Sequence, residues 1–258
     1  LGSHANWDMS SLCGALAIGV FCDRPDLYRQ ACDYFAANNR GKLTMFGNGS
    51  IVHSVYFMHP GHLGQWQESG RDQGHSTLGM SLGGDLLEMA WNQGDDLYGL
   101  YNNRFLSAAE YVARSNLHDE NGKIYPMPYV PEQNPTAPHT DRWTEVNQSF
   151  GDLPGSNRNC WEPIYNHYVN RLGLAAPNVA RMVAKCEPNQ FSNGGDDVIW
   201  PTLVHRRPDY AGPMKPPSGL TAHLRGDRVV LSWWGSVGAT SYAVKRASQA
   251  NGPFNLLG

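Results

Sequence analysis

Charge is sparse in this 258-residue chain: Asp, Glu, Lys and Arg make up 17% of it and nearly cancel, leaving a formal net charge of −3. A near-neutral balance excludes nucleic acid as the main partner, because phosphate-binding proteins carry a concentrated basic surface. No apolar run reaches the roughly 18 residues that a bilayer-crossing helix needs, so no membrane span is expected. Cysteine is scarce too. Cys13, Cys22, Cys32, Cys160 and Cys186 lack close metal-ligand spacing, and an odd count cannot pair completely within one chain. His53, His59 and His62, with His75 beyond them, have no Cys or carboxylate at ordinary zinc-ligand spacing, so neither a metal nor another cofactor is expected. No secretory leader is recognisable at Leu1, yet the chain opens inside what reads as a motif, so helices before it are expected.

What the chain has instead is aromatic rings and one dense polar run. Eight Trp and twelve Tyr supply flat amphipathic surfaces that suit the apolar faces of sugars as well as they suit a core. Between Gln67 and His75 the sequence packs amides, Glu68, Arg71 and His75 into a few residues and then runs into a helix. Leu78, Met80, Leu82, Leu86, Leu87 and Met89 recur at helical spacing, with glycines that allow close packing. The polar run therefore stands at the mouth of a packed helical body. Arg71 and His75, four apart, set a cation beside a titratable ring if the helix begins early enough.

The periodicity predicts helices over about 8–21, 27–35, 76–91, 97–117 and 161–171, with a short one after Pro177, joined as hairpins. Residues 118–159 are Pro-rich, hold many Tyr, Trp and Asn, and keep no period, which marks a lid or binding wall. Composition changes at 212. A stiff linker over 212–219 is followed by Leu220-Thr-Ala222, Val229 to Trp233 and Tyr242 to Arg246, each alternating with period two. This last stretch, 220–258, resembles the opening strands of a fibronectin type III domain, which implies a partial β-sandwich with a spacing or attachment task, dispensable for chemistry.

The spaced set Asn6-Trp7, Glu68-Ser-Gly-Arg-Asp-Gln-Gly-His75, Trp91-Asn-Gln-Gly94, Trp161-Glu162 and Tyr165-Asn-His-Tyr-Val-Asn-Arg-Leu-Gly173 resembles the alginate-lyase-type polysaccharide lyases over residues 1–211. The resemblance implies a mainly α fold, an incomplete α/α toroid of helical hairpins. It also implies β-elimination on a uronic-acid polysaccharide, secreted or in a periplasm. The chemistry of that reaction is consistent with the residues. Removing the C5 proton of a uronate requires its carboxylate to be damped, and a Tyr or His must then take that proton and return one to the leaving O4.

Asn6, Arg71 and His4 are the candidate carboxylate partners, and His75, Tyr165 and His167 the candidate proton carriers. Neighbouring helical residues diverge, so one of Tyr165 and His167 is expected to be structural. Arg71 is expected to lower the pKa of a tyrosine base, and His75 and Tyr165 are expected to line one cleft. Trp7, Gln67, Glu68, Gln73, Trp161, Glu162, Asn166 and Arg171 complete the expected substrate-binding set. Two rivals remain open: a glycoside hydrolase using Glu68 and Glu162, and a uronate-binding protein without catalysis.

Overall fold

The computed structural model describes residues 4–37, 49–132, 142–149, 158, 160–186, 213, 215–236, 239 and 241–257. The chain divides into two compact units, Leu1–Arg206 and Arg207–Gly258.

In the first unit, α1 (Asn6–Phe21) and α2 (Pro25–Ala36) pack together and α1 also lies on α4 (Gln73–Asn92). Pro25 opens α2, where a missing N–H costs nothing. Buried Asp8 joins these helices to the chain that follows, accepting from the Tyr34 hydroxyl at 2.5 Å and from the Gly49 N–H at 2.8 Å. A short α3 (Ile51–Ser54) leads into an antiparallel hairpin, β1 (Val55–His59) and β2 (Leu63–Trp66), which packs on α5 (Leu100–Ser115). Then come α6 (Trp161–Tyr165), a π-helical turn at Asn166–Arg171, and α7 (Pro177–Cys186). The core runs through all of these, with Trp66, Trp161, Tyr98, Tyr111 and Tyr168 among its largest buried side chains. At Gly79 on α4 a methyl group would overlap the indole of Trp66, so the hairpin seats on the helix only because that position has no Cβ.

The second unit holds β3 (Ser218–Arg225) paired with β4 (Arg228–Trp234), and β5 (Lys245–Arg246) paired with β6 (Asn255–Leu256).

This architecture overturns the expected toroid and sandwich. The described residues are about 46% helical with 15% strand, in seven helices and antiparallel sheets of only two strands, with no closed barrel or sandwich. Two physical reasons stand out. The Gly- and His-rich sequence over 41–64 reads as a loop, yet residues 51–66 form a helical turn and a β-hairpin packed on α5. In the second unit the strands expected to stack into one sandwich pair off as separate hairpins, leaving Leu220, Val229 and Trp234 exposed. The expected strand at 242–246 narrows to Lys245–Arg246, and the apolar stretch at 199–205 lies outside the described residues.

Candidate functional site

The polar run folds as a tight turn between β2 and α4, and α4 begins at the residue the helix needs. Asp72 is its N-cap: the carboxylate accepts the His75 backbone N–H at 2.8 Å, satisfying one of the amides the first turn leaves unpaired. The same carboxylate accepts from His75 Nδ1 at 2.8 and 2.9 Å, which fixes the imidazole with Nε2 directed away from Asp72. Burial alone would raise the Asp72 carboxyl, but the hydrogen bonds from His75 and the charges of His75 and Arg71 hold it below the usual range. Asn6, at the first turn of α1, donates to the His75 carbonyl at 2.7 Å. His75, Asn6 and Trp7 line one open groove of about 470 Å3, in which Trp7 is 75% exposed.

Around Glu68 the other polar groups converge. Glu68 is buried, and desolvation raises its pKa against the opposing pull of His4, Arg71 and His75. Arg71 reaches Glu68 at 3.8 Å and Asp72 at 4.0 Å, with its side chain 41% exposed. Glu132 bridges two further residues, accepting from His4 Nε2 at 3.3 Å and from Gln67 Nε2 at 3.2 Å. Above Gly70 lie the Tyr129 hydroxyl and the Trp143 side chain, both so close that any Cβ there would collide with them. The ring of Trp143 stands 6.2 Å from that of His4.

The turn is held from the outside by residues 147–149. Asn147 receives from Gln73 Nε2 at its carbonyl and donates to the carbonyls of Ser69 and Arg71, while Gln73 N–H donates to Ser149. Tyr129 and Glu132 are positioned by Gln65 on β2, whose amide accepts from the Val130 N–H at 2.9 Å and donates to the Val130 carbonyl at 3.0 Å. Gln65 also donates to the Tyr56 hydroxyl and accepts from His59 Nε2 at 2.8 Å.

Several buried side-chain atoms in this cluster have no hydrogen-bond partner among the described residues: Asn6 Oδ1, Gln67 Oε1, Glu68 Oε2, Ser69 Oγ and the Tyr129 hydroxyl. Each such group ordinarily costs about 1–3 kcal/mol, so their gathering around one turn marks a place built to receive polar groups from outside.

The structure thus brings together Asn6, His4, Trp7, Gln67, Glu68, Arg71 and His75 from the expected set. Gln73 is nearby but spends both ends of its amide, donating to Asn147 and accepting from Asn116. His167 and Arg171 belong elsewhere. Arg171 forms a two-pronged pair with Glu88 at 2.6 and 2.9 Å, thirteen residues along α4 from His75 and therefore about 20 Å away along the helix axis. His167 is fully buried, stacked on Tyr98 with ring centroids 3.6 Å apart and edge-on to Trp91, and burial with the adjacent Arg171 pushes its pKa down to about 4. Trp161, Glu162 and Asn166 are buried in the same helical stretch, and Tyr165 packs half-buried against the core. Arg71 is engaged by Glu68 and Asp72, and the structure shows no contact of it with Tyr165.

Sequence reasoning missed Asp72, Tyr129, Glu132 and Trp143. The last three come from the unpatterned stretch already suspected as a binding wall, where no periodicity points to individual side chains. Among the described residues no group of three or more His, Cys, Asp or Glu gathers as a metal site, and no helix is long and apolar enough to cross a membrane.

In comparisons with protein-family models, curated proteins and solved structures, none matches the chain.

Proposed function

We propose that the protein is a lyase that cleaves a uronic-acid polysaccharide by β-elimination, outside the cell or in a periplasm. The observation that carries this reading is the set of buried polar atoms near Gly70 that have no hydrogen-bond partner among the described residues, beside an imidazole oriented by a carboxylate. A uronate carboxylate would lie against Arg71, whose charge damps the charge that resists carbanion formation, beside a Glu68 carboxyl whose pKa burial raises. His75 Nε2, its partner nitrogen tied to Asp72, takes the C5 proton. Tyr129 supplies the second proton. Burial raises its pKa, so its hydroxyl stays protonated and is suited to giving a proton to O4 as the C4–O4 bond breaks. Trp7 offers an exposed ring for a neighbouring sugar face.

The test is incubation with a panel of polyuronates, following the ultraviolet absorbance of unsaturated uronate ends. Absorbance that grows with time and disappears in His75→Ala is the expected result; a panel on which the wild-type chain generates none removes the proposal.

A second reading draws on two buried carboxyls, Glu68 with its raised pKa and Glu132, which is bonded to His4 and to Gln67, the residue before Glu68. That arrangement suits a glycoside hydrolase, with Glu68 as acid. Products heavier by one water, without ultraviolet absorbance, distinguish it.

A further inference from the structure

A second cavity, of about 510 Å3, opens between the β1–β2 turn, the length of α5 and the start of α7. It shares no lining residue with the groove at His75. Three features of it are unusual together. The first is a cation: Arg114 lines the cavity with its guanidinium over the face of Tyr125 at 5.1 Å, and its buried Nε has no hydrogen-bond partner among the described residues. The one carboxylate lining the cavity, Glu110, is already occupied, accepting from the backbone N–H groups of Asn178 and Val179 and from the Asn178 amide. Glu110 therefore caps α7, and among the described residues no ion pair joins it to Arg114.

The second feature is backbone strain. Tyr101, Asn102 and Asn103 stand in succession at φ 50, 58 and 56, a left-handed turn without any glycine. Such residues cost of order 1 kcal/mol each and persist where the surroundings hold them for a purpose. The Tyr101 hydroxyl, donating to the Ala36 carbonyl at 2.7 Å, anchors the turn from outside. The third feature is that the turn places Asn102 and Asn103 on the cavity wall with their side-chain amides making no hydrogen bond among the described residues.

We infer that this cavity is a second binding site, taking one carboxylate-bearing sugar residue, with Arg114 pairing the carboxylate and the two asparagine amides meeting hydroxyls. The carboxylate follows from Arg114; the sugar rests on the uronate reading above. A site of this kind away from the reacting groups would hold a polymer in place between cleavage events.

The experiment titrates the full chain with D-glucuronate, and with D-glucose as the neutral control, reading the arginine Nε–Hε resonances by NMR and affinity by calorimetry. Glucuronate is expected to move the Arg114 resonance and glucose to leave it in place. Arg114→Gln should weaken this binding about tenfold or more, the loss expected of a charge-assisted hydrogen bond, while leaving the ultraviolet elimination rate on short oligomers unchanged. Asn103→Gly relieves the backbone and removes only an amide, so it should raise the melting temperature and still weaken binding. Should glucuronate move only Arg71, or should both variants bind like wild type, the site does not exist; an equal response to glucose overturns the carboxylate assignment. If no polyuronate is cleaved and the Arg114 response persists, the lyase reading falls and this site stands.

Discussion

Asp72 holds His75 by two different groups at once, the backbone N–H and the ring Nδ1, both at 2.8 Å. One carboxylate thus starts the helix and orients the imidazole proposed as the base. Asp72→Asn keeps a side-chain oxygen for the cap but removes the charge behind the ring, so kcat on a polyuronate should fall about 100-fold or more, within the range for general acid–base catalysis. Asp72→Ala should in addition cost about 1 kcal/mol of stability by urea unfolding, as the cap is lost. A normal kcat in the Asn variant would mean His75 takes no proton.

Arg71→Lys retains the charge and loses the planar fork that matches a carboxylate. A loss of roughly tenfold in kcat/KM is expected, with the fold unchanged by circular dichroism. Parent-level turnover would reduce Arg71 to a surface partner of Glu68.

Stability should carry the signature of His167. Its pKa in the fold, about 4, lies below the ordinary 6.5, so between those values the unfolded chain binds more protons than the folded one. Stability is therefore whole above pH 6.5 and is lost as pH falls toward 4, by up to roughly 3 kcal/mol. Urea unfolding of the wild type and of His167→Gln at pH 7 and pH 5 reads the difference. The variant should show the shallower pH dependence; equal slopes would mean that the ring is not held neutral.

Gly79→Ala should destabilise the first unit by about 1–3 kcal/mol, because the added methyl meets the Trp66 indole and forces hairpin and helix apart. Thermal unfolding followed by Trp fluorescence measures it. An unchanged midpoint would show that β2 can shift without cost.

A chain ending at Arg206 should keep the elimination rate on short soluble oligomers, since every residue of the candidate site lies in the first unit. Loss of that rate in a folded truncated chain would place part of the site in residues 207–258.

The helices bearing strong apolar periods were legible: Gln73–Asn92 follows the spacing of Met80, Leu86 and Leu87, and Pro25 opens α2 where the stop and cap signals put it. The hairpin at 55–66 was hidden because Val55, Leu63 and Trp66 are buried without a clean alternation; β2 is buried on both sides. At Trp161–Arg171 the helical pattern was visible but not its change to a π-turn, which depends on packing around His167 and Tyr168. The polar run drew attention through its density, yet nothing in its spacing reveals that Tyr129 and Trp143 close over Gly70. His167 looked like a proton carrier because histidine chemistry is written in the residue, whereas its burial against Tyr98 is written only in the fold.

Gln65 treats Val130 as an adjoining strand would, meeting both its N–H and its carbonyl with one side-chain amide. The stretch carrying Tyr129 and Glu132 is therefore pinned by side chains from several elements, since Tyr56 also donates to the Val130 carbonyl, Tyr111 to the Pro128 carbonyl and Gln67 to Glu132. The connection at 119–126 is itself fastened, by the Asp119–Lys123 turn and by Arg181 on the Tyr125 hydroxyl. A change at Gln65, more than sixty positions earlier, would remove both bonds to Val130 from β2 and leave the wall held by Tyr56, Tyr111 and Gln67. Homologous chains that keep an amide at position 65 together with a hydroxyl at position 56 would be the natural record of such anchoring.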